Sequence, residues 1–280
     1  MELLVVIAVI GLLSSIIFAI TRGANEQGRI AKGLQFSQHL HNSLGSYAAG
    51  IWSFDEGTGT AASDISGWGN NGTLVSSPTW RCAATDSGYT PSGQGCSLEF
   101  NGVDNYVLIG KPASLNDLEQ FTYEAWVYWR GFGNYAWPRV FNKNYKFFNI
   151  YNDERIEATV YSDISPYARS ISSGTMPQNT WTHLVMVYDD YGDRKTHIFM
   201  NGTEMNYSQQ GTNTGVLLSD ASYNLTISDG SSINAIIDEA RVYATALTAA
   251  QIESQYYAGL ENLLAKGRIT EQEYSQRAAS

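Results

Sequence analysis

At 280 residues the chain exceeds the usual size of a single domain, so one substantial core with appendages is expected. A formal net charge of −10 excludes partners held by nonspecific attraction to phosphate backbones, and no nucleic acid is expected among them. Aromatic content of 12%, with 26 glycines against 16% charged residues, favours a sheet- and turn-rich body over a helical one.

Leu3 to Ile20 is apolar apart from Gly11, Ser14 and Ser15 and has the length of a bilayer-spanning helix. A cleavable secretory signal needs a basic start and a small-residue cleavage site, yet acidic Glu2 precedes this run and no Ala-x-Ala follows it. Beyond Thr21 the pattern turns amphipathic, with Ile30, Leu34, Leu40 and Leu44 near helical spacing, so the helix is expected to continue. From Leu3 to Leu44 it would run roughly 60 Å, about twice the hydrocarbon thickness, so its second half must pack on something else.

The block Met1-Glu2-Leu3-Leu4-Val5-Val6-Ile7-Ala8-Val9-Ile10-Gly11-Leu12-Leu13 resembles the mature N-terminus of bacterial type IV pilins and pseudopilins. It begins a few residues late, without the basic leader and Gly cleavage site of that family. The resemblance implies a chain inserted in the cytoplasmic membrane before assembly, then a homopolymer through packed N-terminal helices in an extracellular filament. Glu2 matches the family's helix glutamate. A carboxylate in hydrocarbon needs a partner, which the resemblance supplies as the N-terminal amine of a neighbouring subunit. Glu2 is therefore read as an assembly residue; a single-pass anchor that never polymerises is the alternative.

After residue 45 the pattern changes to period two, in Phe121 to Trp129, Trp181 to Tyr188 and Thr196 to Met200. Asn201-Gly202 directly follows the third segment and predicts a hairpin, since both residues accept positive φ. Many short strands with such turns imply a sandwich or jelly roll. The two cysteines, Cys82 and Cys96, enclose a polar stretch able to close as a loop. In an exported protein a disulfide is the natural reading, worth roughly 3 kcal/mol, with two free thiols as the alternative.

Five ordered blocks resemble the concanavalin A-like, laminin-G-like family: Trp52 to Gly59 with Asp64 to Leu74; Leu98 to Tyr106; Phe121 to Val127; Trp181 to Val185; and Ile237 to Tyr243. The fold expected is mainly β: a concanavalin A-like β-sandwich head (46–257) on a long N-terminal α-helix (1–45), with a short helical tail (258–280). Thr248 and Gln251 form a capping box for the helix that ends the head, and Thr270 with Glu273 another in the tail. The fold hosts lectins, adhesion modules and enzyme accessory domains, so it does not fix a ligand.

Asp64 lies in a Gly/Asn loop rich in carbonyls and Asp238 in an apolar strand, and both suit a hard oxygen-ligating ion. The resemblance implies Ca²⁺ tying such a loop to the last strands, held by Asp64, Asp238 and backbone oxygens near Asn70. Pairing of Asp238 with Arg241 or with backbone is the alternative. Glycosidase chemistry needs two flanking carboxylates, and the one dense acidic cluster, Asp153 to Glu157, does not match the Glu-x-Asp-x-x-Glu pattern of related enzymes, so no catalysis is expected. Phe132, Tyr135 and Trp137 crowd one loop, suited to stacking on a sugar ring or on a neighbouring subunit. The expected role is a structural subunit of a type IV pilus-like filament displaying a lectin-like head. The alternatives are a minor pilin or membrane-tethered adhesin that binds carbohydrate, and a pseudopilin of a type II secretion system.

Overall fold

The computed structural model describes residues 44–82, 91, 95–229, 233–265 and 269–278. The expected N-terminal helix, with Glu2 and the apolar run from Leu3, lies outside them. Among the described residues no helix is long and apolar enough to cross a membrane.

The strands in chain order are β1 (Ala48–Trp52), β2 (Ala61–Ala62), β3 (Gly72–Val75), β4 (Thr79–Cys82), β5 (Cys96–Asn101), β6 (Tyr106–Gly110), β7 (Gln120–Trp129), β8 (Arg139–Lys143) and β9 (Lys146–Ile150). There follow β10 (Arg155–Val160), β11 (Ala168–Thr175), β12 (Trp181–Asp189), β13 (Thr196–Met200), β14 (Thr203–Glu204), β15 (Tyr207–Gly211), β16 (Leu225–Ile227) and β17 (Asn234–Tyr243). They pair as two sheets, β14-β13-β12-β7-β17-β5-β4 with β1 also on β17, and β15-β11-β10-β9-β8-β16-β6-β3-β2. All of the pairings between these strands are antiparallel. The sandwich expected from the period-two segments is thus formed.

Alternation builds the core. Phe121, Tyr123, Ala125, Val127 and Trp129 of β7 point between the sheets, where they meet Phe141 and Phe148 of the facing sheet. The β13–β14 turn is the expected one, with Asn201 at φ 52° and Gly202 at φ 80°. The expected disulfide joins Cys82 to Cys96, which face each other across β4 and β5. Such a bond belongs to an oxidising compartment and suggests an extracellular location.

The helices α1 (Ala249–Ala265) and α2 (Glu271–Ala278) cover the outer face of the β7/β12/β17 sheet. The capping box starts α1: Thr248 N donates to Gln251 Oε1 at 2.8 Å, and Gln251 N donates to Thr248 Oγ1 at 3.3 Å. Ile252 then seats on Val185, Val187 and Phe199, and Tyr256, Leu260, Leu263, Ile269 and Tyr274 gather on Trp126. The expected division at 257 falls inside α1, and the described tail belongs to this covering layer. Its cause is apolar: without the helices, Trp126 and the outward valines of β12 would face water.

One ionic cluster sits inside the sandwich. Lys143 and Lys146 are almost fully buried and converge on Asp220, at 3.5 Å and 2.7 Å. Lys143 also donates to Asn116 Oδ1 at 2.8 Å and to the Tyr223 carbonyl at 3.3 Å. Burial pushes the Lys143 ammonium below its ordinary pKa against the pull of Asp220. Removing one partner of a buried pair leaves a charge uncompensated, so Asp220→Asn should lower the unfolding free energy by about 3–5 kcal/mol in a urea titration.

Candidate ligand-binding face

With the helices on one sheet, the outer face of the other carries a different chemistry. In β10, Ile156, Ala158 and Val160 enter the core, and the intervening Arg155, Glu157 and Thr159 face outward. In β9, Phe148 and Ile150 enter the core, and Phe147 and Asn149 face outward. The same alternation in β6 and β16 sends Tyr106, Leu108 and Thr226 to this face.

Glu157 is the centre of its floor. It pairs with Arg169, accepts from Asn149 Nδ2 at 3.1 Å and from Thr159 Oγ1 at 3.3 Å, and is 5% exposed. Asn149 Oδ1 has no hydrogen-bond partner although the residue is only 2% exposed. Arg139, directly across the ladder from Asn149, donates to Asn142 Oδ1 at 2.8 Å and to Asp229 Oδ2 at 3.1 Å, and lies 4.8 Å over the Phe147 ring. Beside it opens a cavity of about 410 Å³ bordered by Tyr106, Asn142, Asn144, Tyr223 and Asn224. That volume is within the usual span of small-molecule sites.

Aromatic rings stand at both ends of the face. Tyr145 meets Tyr223 edge-on at 5.2 Å and Tyr161 at 6.4 Å, and Tyr161 meets Tyr167 at 4.3 Å. Burial and the hydrogen bond with Tyr167 raise the Tyr161 pKa. At the other end Trp137 approaches Tyr151 at 6.4 Å, and the guanidinium groups of Arg155 and Arg169 each lie 5.7 Å over the Tyr151 ring.

The structure separates the expected aromatic trio. Trp137 is half exposed at the edge of this face, whereas Phe132 packs on the core with its ring edge-on to Trp129 at 5.3 Å; Tyr135 is exposed. In the acidic cluster Asp153 to Glu157, Asp153 and Glu157 are each matched by an arginine, Arg155 and Arg169. Asn149, Arg139, Arg169, Tyr145 and Tyr223 were not singled out from sequence. The polar residues at alternate positions of Arg155 to Val160 were the one available signal.

The residues expected to hold Ca²⁺ are otherwise engaged. Asp64 accepts from the backbone N–H groups of Ile51 (2.9 Å), Ser66 (2.8 Å) and Asn70 (2.8 Å) and from Ser66 Oγ (2.8 Å), which fills the four lone-pair directions of a carboxylate. The Asn70 carbonyl takes Trp52 Nε1–H at 2.9 Å, and its side-chain amide donates to the Ala49 carbonyl and Ser114. As placed, these two residues do not fit an ion; they organise the loop and tie it to β1. Among the described residues no group of three or more His, Cys, Asp or Glu side chains is placed to hold a metal. Asp238 sits at the β-bulge of β17, beside Asp55 and Glu239, and accepts from Glu239 N at 2.8 Å.

A family model described as the Concanavalin A-like lectin/glucanases superfamily matches residues 101–253, more than half of the chain. Among solved structures, the binding domain of Paraclostridial Mosquitocidal Protein 1 aligns with a TM-score of 0.61 at 15% identity, over 78% of this chain and 53% of that one. Trypanosoma rangeli sialidase in complex with sialic acid aligns at 0.53 and 11% identity, over 80% of this chain and 38% of that one. Domain 4 of AbnA, a GH43 extracellular arabinanase from Geobacillus stearothermophilus in complex with arabinotriose, aligns at 0.52 and 16% identity, over 75% of this chain and 98% of that one. The chain therefore spans about half of the toxin domain and less of the sialidase, and at these identities the likeness is one of fold. No curated relative matches it.

Burial first, and then the charge of Glu239, push the Asp238 carboxyl well above its ordinary pKa. A raised folded pKa favours the fold fully below the unfolded value, near 3.9, and that contribution is lost as pH rises through the folded pKa. Asp238→Asn keeps the acceptor for Glu239 N and cannot ionise. In a melting-temperature series against pH it should match the parent in acid and exceed it at neutral pH; a parent more stable at neutral pH would mean that the charge is compensated.

Proposed function

The chain belongs to the Concanavalin A-like lectin/glucanases superfamily, and on that premise we propose that its sandwich is a non-catalytic, lectin-type head that binds glycan on the outer face of the β9/β10 sheet. The observation that carries this reading is the contrast between the two outer faces: one is apolar and covered by α1 and α2, the other presents amides, hydroxyls and tyrosine rings around a cavity. Sugars are recognised by that combination, with rings stacking on C–H faces and amides meeting hydroxyls. The pairing of both Asp153 and Glu157 with arginines supports binding without hydrolysis, because neither is left as a carboxyl poised to donate a proton. The fold neighbours that are binding domains of toxins support it also.

The stem completes the proposal. The apolar run from Leu3 and the placement of Glu2 support a type IV pilin-like subunit that carries the head on a filament and is inserted in the membrane before assembly. Their support is the sequence pattern alone.

Two experiments test the two halves separately. The purified chain on a glycan array should retain a defined set of saccharides, and Tyr223→Ala should weaken that binding by about tenfold, or about 1.4 kcal/mol; no binding at any density would remove the lectin reading. Filaments sheared from producing cells should show helical stems inside and β heads outside, and Glu2→Ala should abolish them. Normal filaments from that variant, or a chain found only as a membrane-anchored monomer, would remove the pilin reading.

A further inference from the structure

The proposed binding face also constrains the charge of its ligand. Three arginines stand on it or at its edge, and each already has a carboxylate: Arg139 with Asp229 at 3.1 Å, Arg155 with Asp153 at 2.7 Å, and Arg169 with Glu157. All three guanidinium groups also lie over an aromatic ring, Phe147 for the first and Tyr151 for the other two. Arginine normally recognises an anion through its planar fork of donors. Here each guanidinium already has its charge balanced by a carboxylate within the protein. An acidic sugar reaching Arg169 would compete for its charge with Glu157, a buried carboxylate that depends on that counter-charge. The net charge of −10 adds long-range repulsion of polyanions.

The groups still available are uncharged. Around the cavity they are the amides of Asn144 and Asn224 and the rings of Tyr106 and Tyr223, with the Thr226 hydroxyl donating to the Asn142 carbonyl at 3.4 Å and the Asp229 carboxylate paired with Arg139. Asn149 Oδ1, buried and without a donor, is an acceptor that a ligand hydroxyl would satisfy. It stands across the ladder from Arg139, whose other contact, Asn142, borders the cavity.

We infer that this face selects uncharged saccharides and discriminates against uronate, sialate and sulfate sugars, with the cavity beside Tyr223 and Asn224 as one subsite and Asn149 as a hydroxyl-recognising second. The inference rests on the glycan-binding reading and narrows it to a substrate class.

The test uses the full chain in detergent, titrated with neutral xylo-, manno-, arabino- and gluco-oligosaccharides and with uronate-, sialate- and sulfate-bearing counterparts, at low and high salt. Neutral sugars should bind with little dependence on salt, and the acidic counterparts at least about tenfold more weakly. Asp153→Asn, at an exposed position, removes the counter-charge of Arg155 and should raise the affinity for acidic sugars several-fold. Acidic sugars bound as tightly as neutral ones, with affinity falling steeply in salt, would overturn the inference and leave the lectin reading standing. Failure of every saccharide of both kinds would overturn both.

Discussion

Two ammonium groups inside the sandwich require one carboxylate, and much of the molecule's outer geometry follows from meeting that requirement. Lys143 and Lys146 flank the turn between β8 and β9, so both reach inward while Asn144 and Tyr145 between them stay at the surface. Their counter-charge, Asp220, comes from a segment far along the chain. Asp220 is held by reciprocal bonds with Asp117, each backbone N–H donating to the other's Oδ1 at 2.8 and 2.9 Å. Three residues later Tyr223 gives its carbonyl to Lys143 and its ring to Tyr145. Charge compensation inside thus sets the position of Tyr223 and Asn224 at the cavity outside. Such a cluster contributes little net stability over an apolar one of the same volume, yet it tolerates only one arrangement of the loop.

The two outer faces differ because the alternate positions of their strands differ. On β7 and β12 the outward residues include Trp126, Val185 and Val187, which gain by being covered, and the polar group among them, Glu124, is sealed with its own partners. Burial alone would raise Glu124, but Arg241 and His183, each at 3.1 Å, outweigh it and hold the carboxylate below its usual range. On β9 and β10 the outward residues include Asn149, Glu157 and Thr159, which are buried but bond to one another and, through Glu157, to Arg169. A single rule of period two therefore yields both a docking surface for α1 and the polar face proposed for recognition.

The features legible in the sequence were those made by neighbours along the chain. The strands from Phe121, Trp181 and Thr196, the Asn201-Gly202 turn, the Thr248 capping box and the Cys82–Cys96 bridge all rest on residues a short distance apart. The proposed binding face is assembled from strands spread between Tyr106 and Thr226, and sheet order does not follow chain order, so no window of sequence contains it. Asp64 shows a different limit. A carboxylate in a Gly/Asn loop has the same composition whether it meets an ion or a ring of backbone N–H groups, and only geometry separates these cases. Likewise Phe132 and Trp137 share a loop, but the close approach of Gly133 to Gly102 turns the chain between them, sending one ring into the core and the other to the edge of the face.

The affinity of a recognition surface laid on a sheet, as proposed for this chain, depends on how little must be ordered when the ligand arrives. Here the ordering is already done: Arg139 and Arg169 are fixed between a carboxylate and a ring, and the tyrosines at the cavity brace one another. Preorganisation lowers the entropic cost, but a shallow polar face still exchanges one set of hydrogen bonds for another and gains little net free energy from each. Weak single-site binding is the physical consequence. The proposed filament answers that weakness, because repeated heads on one stem turn each further contact into an intramolecular event and multiply a modest affinity without any new contact. On the proposed reading the lectin-type head and the pilin-like stem would be complementary parts of one device: the sheet would supply selectivity among sugars, and the stem the number of heads needed to hold a surface.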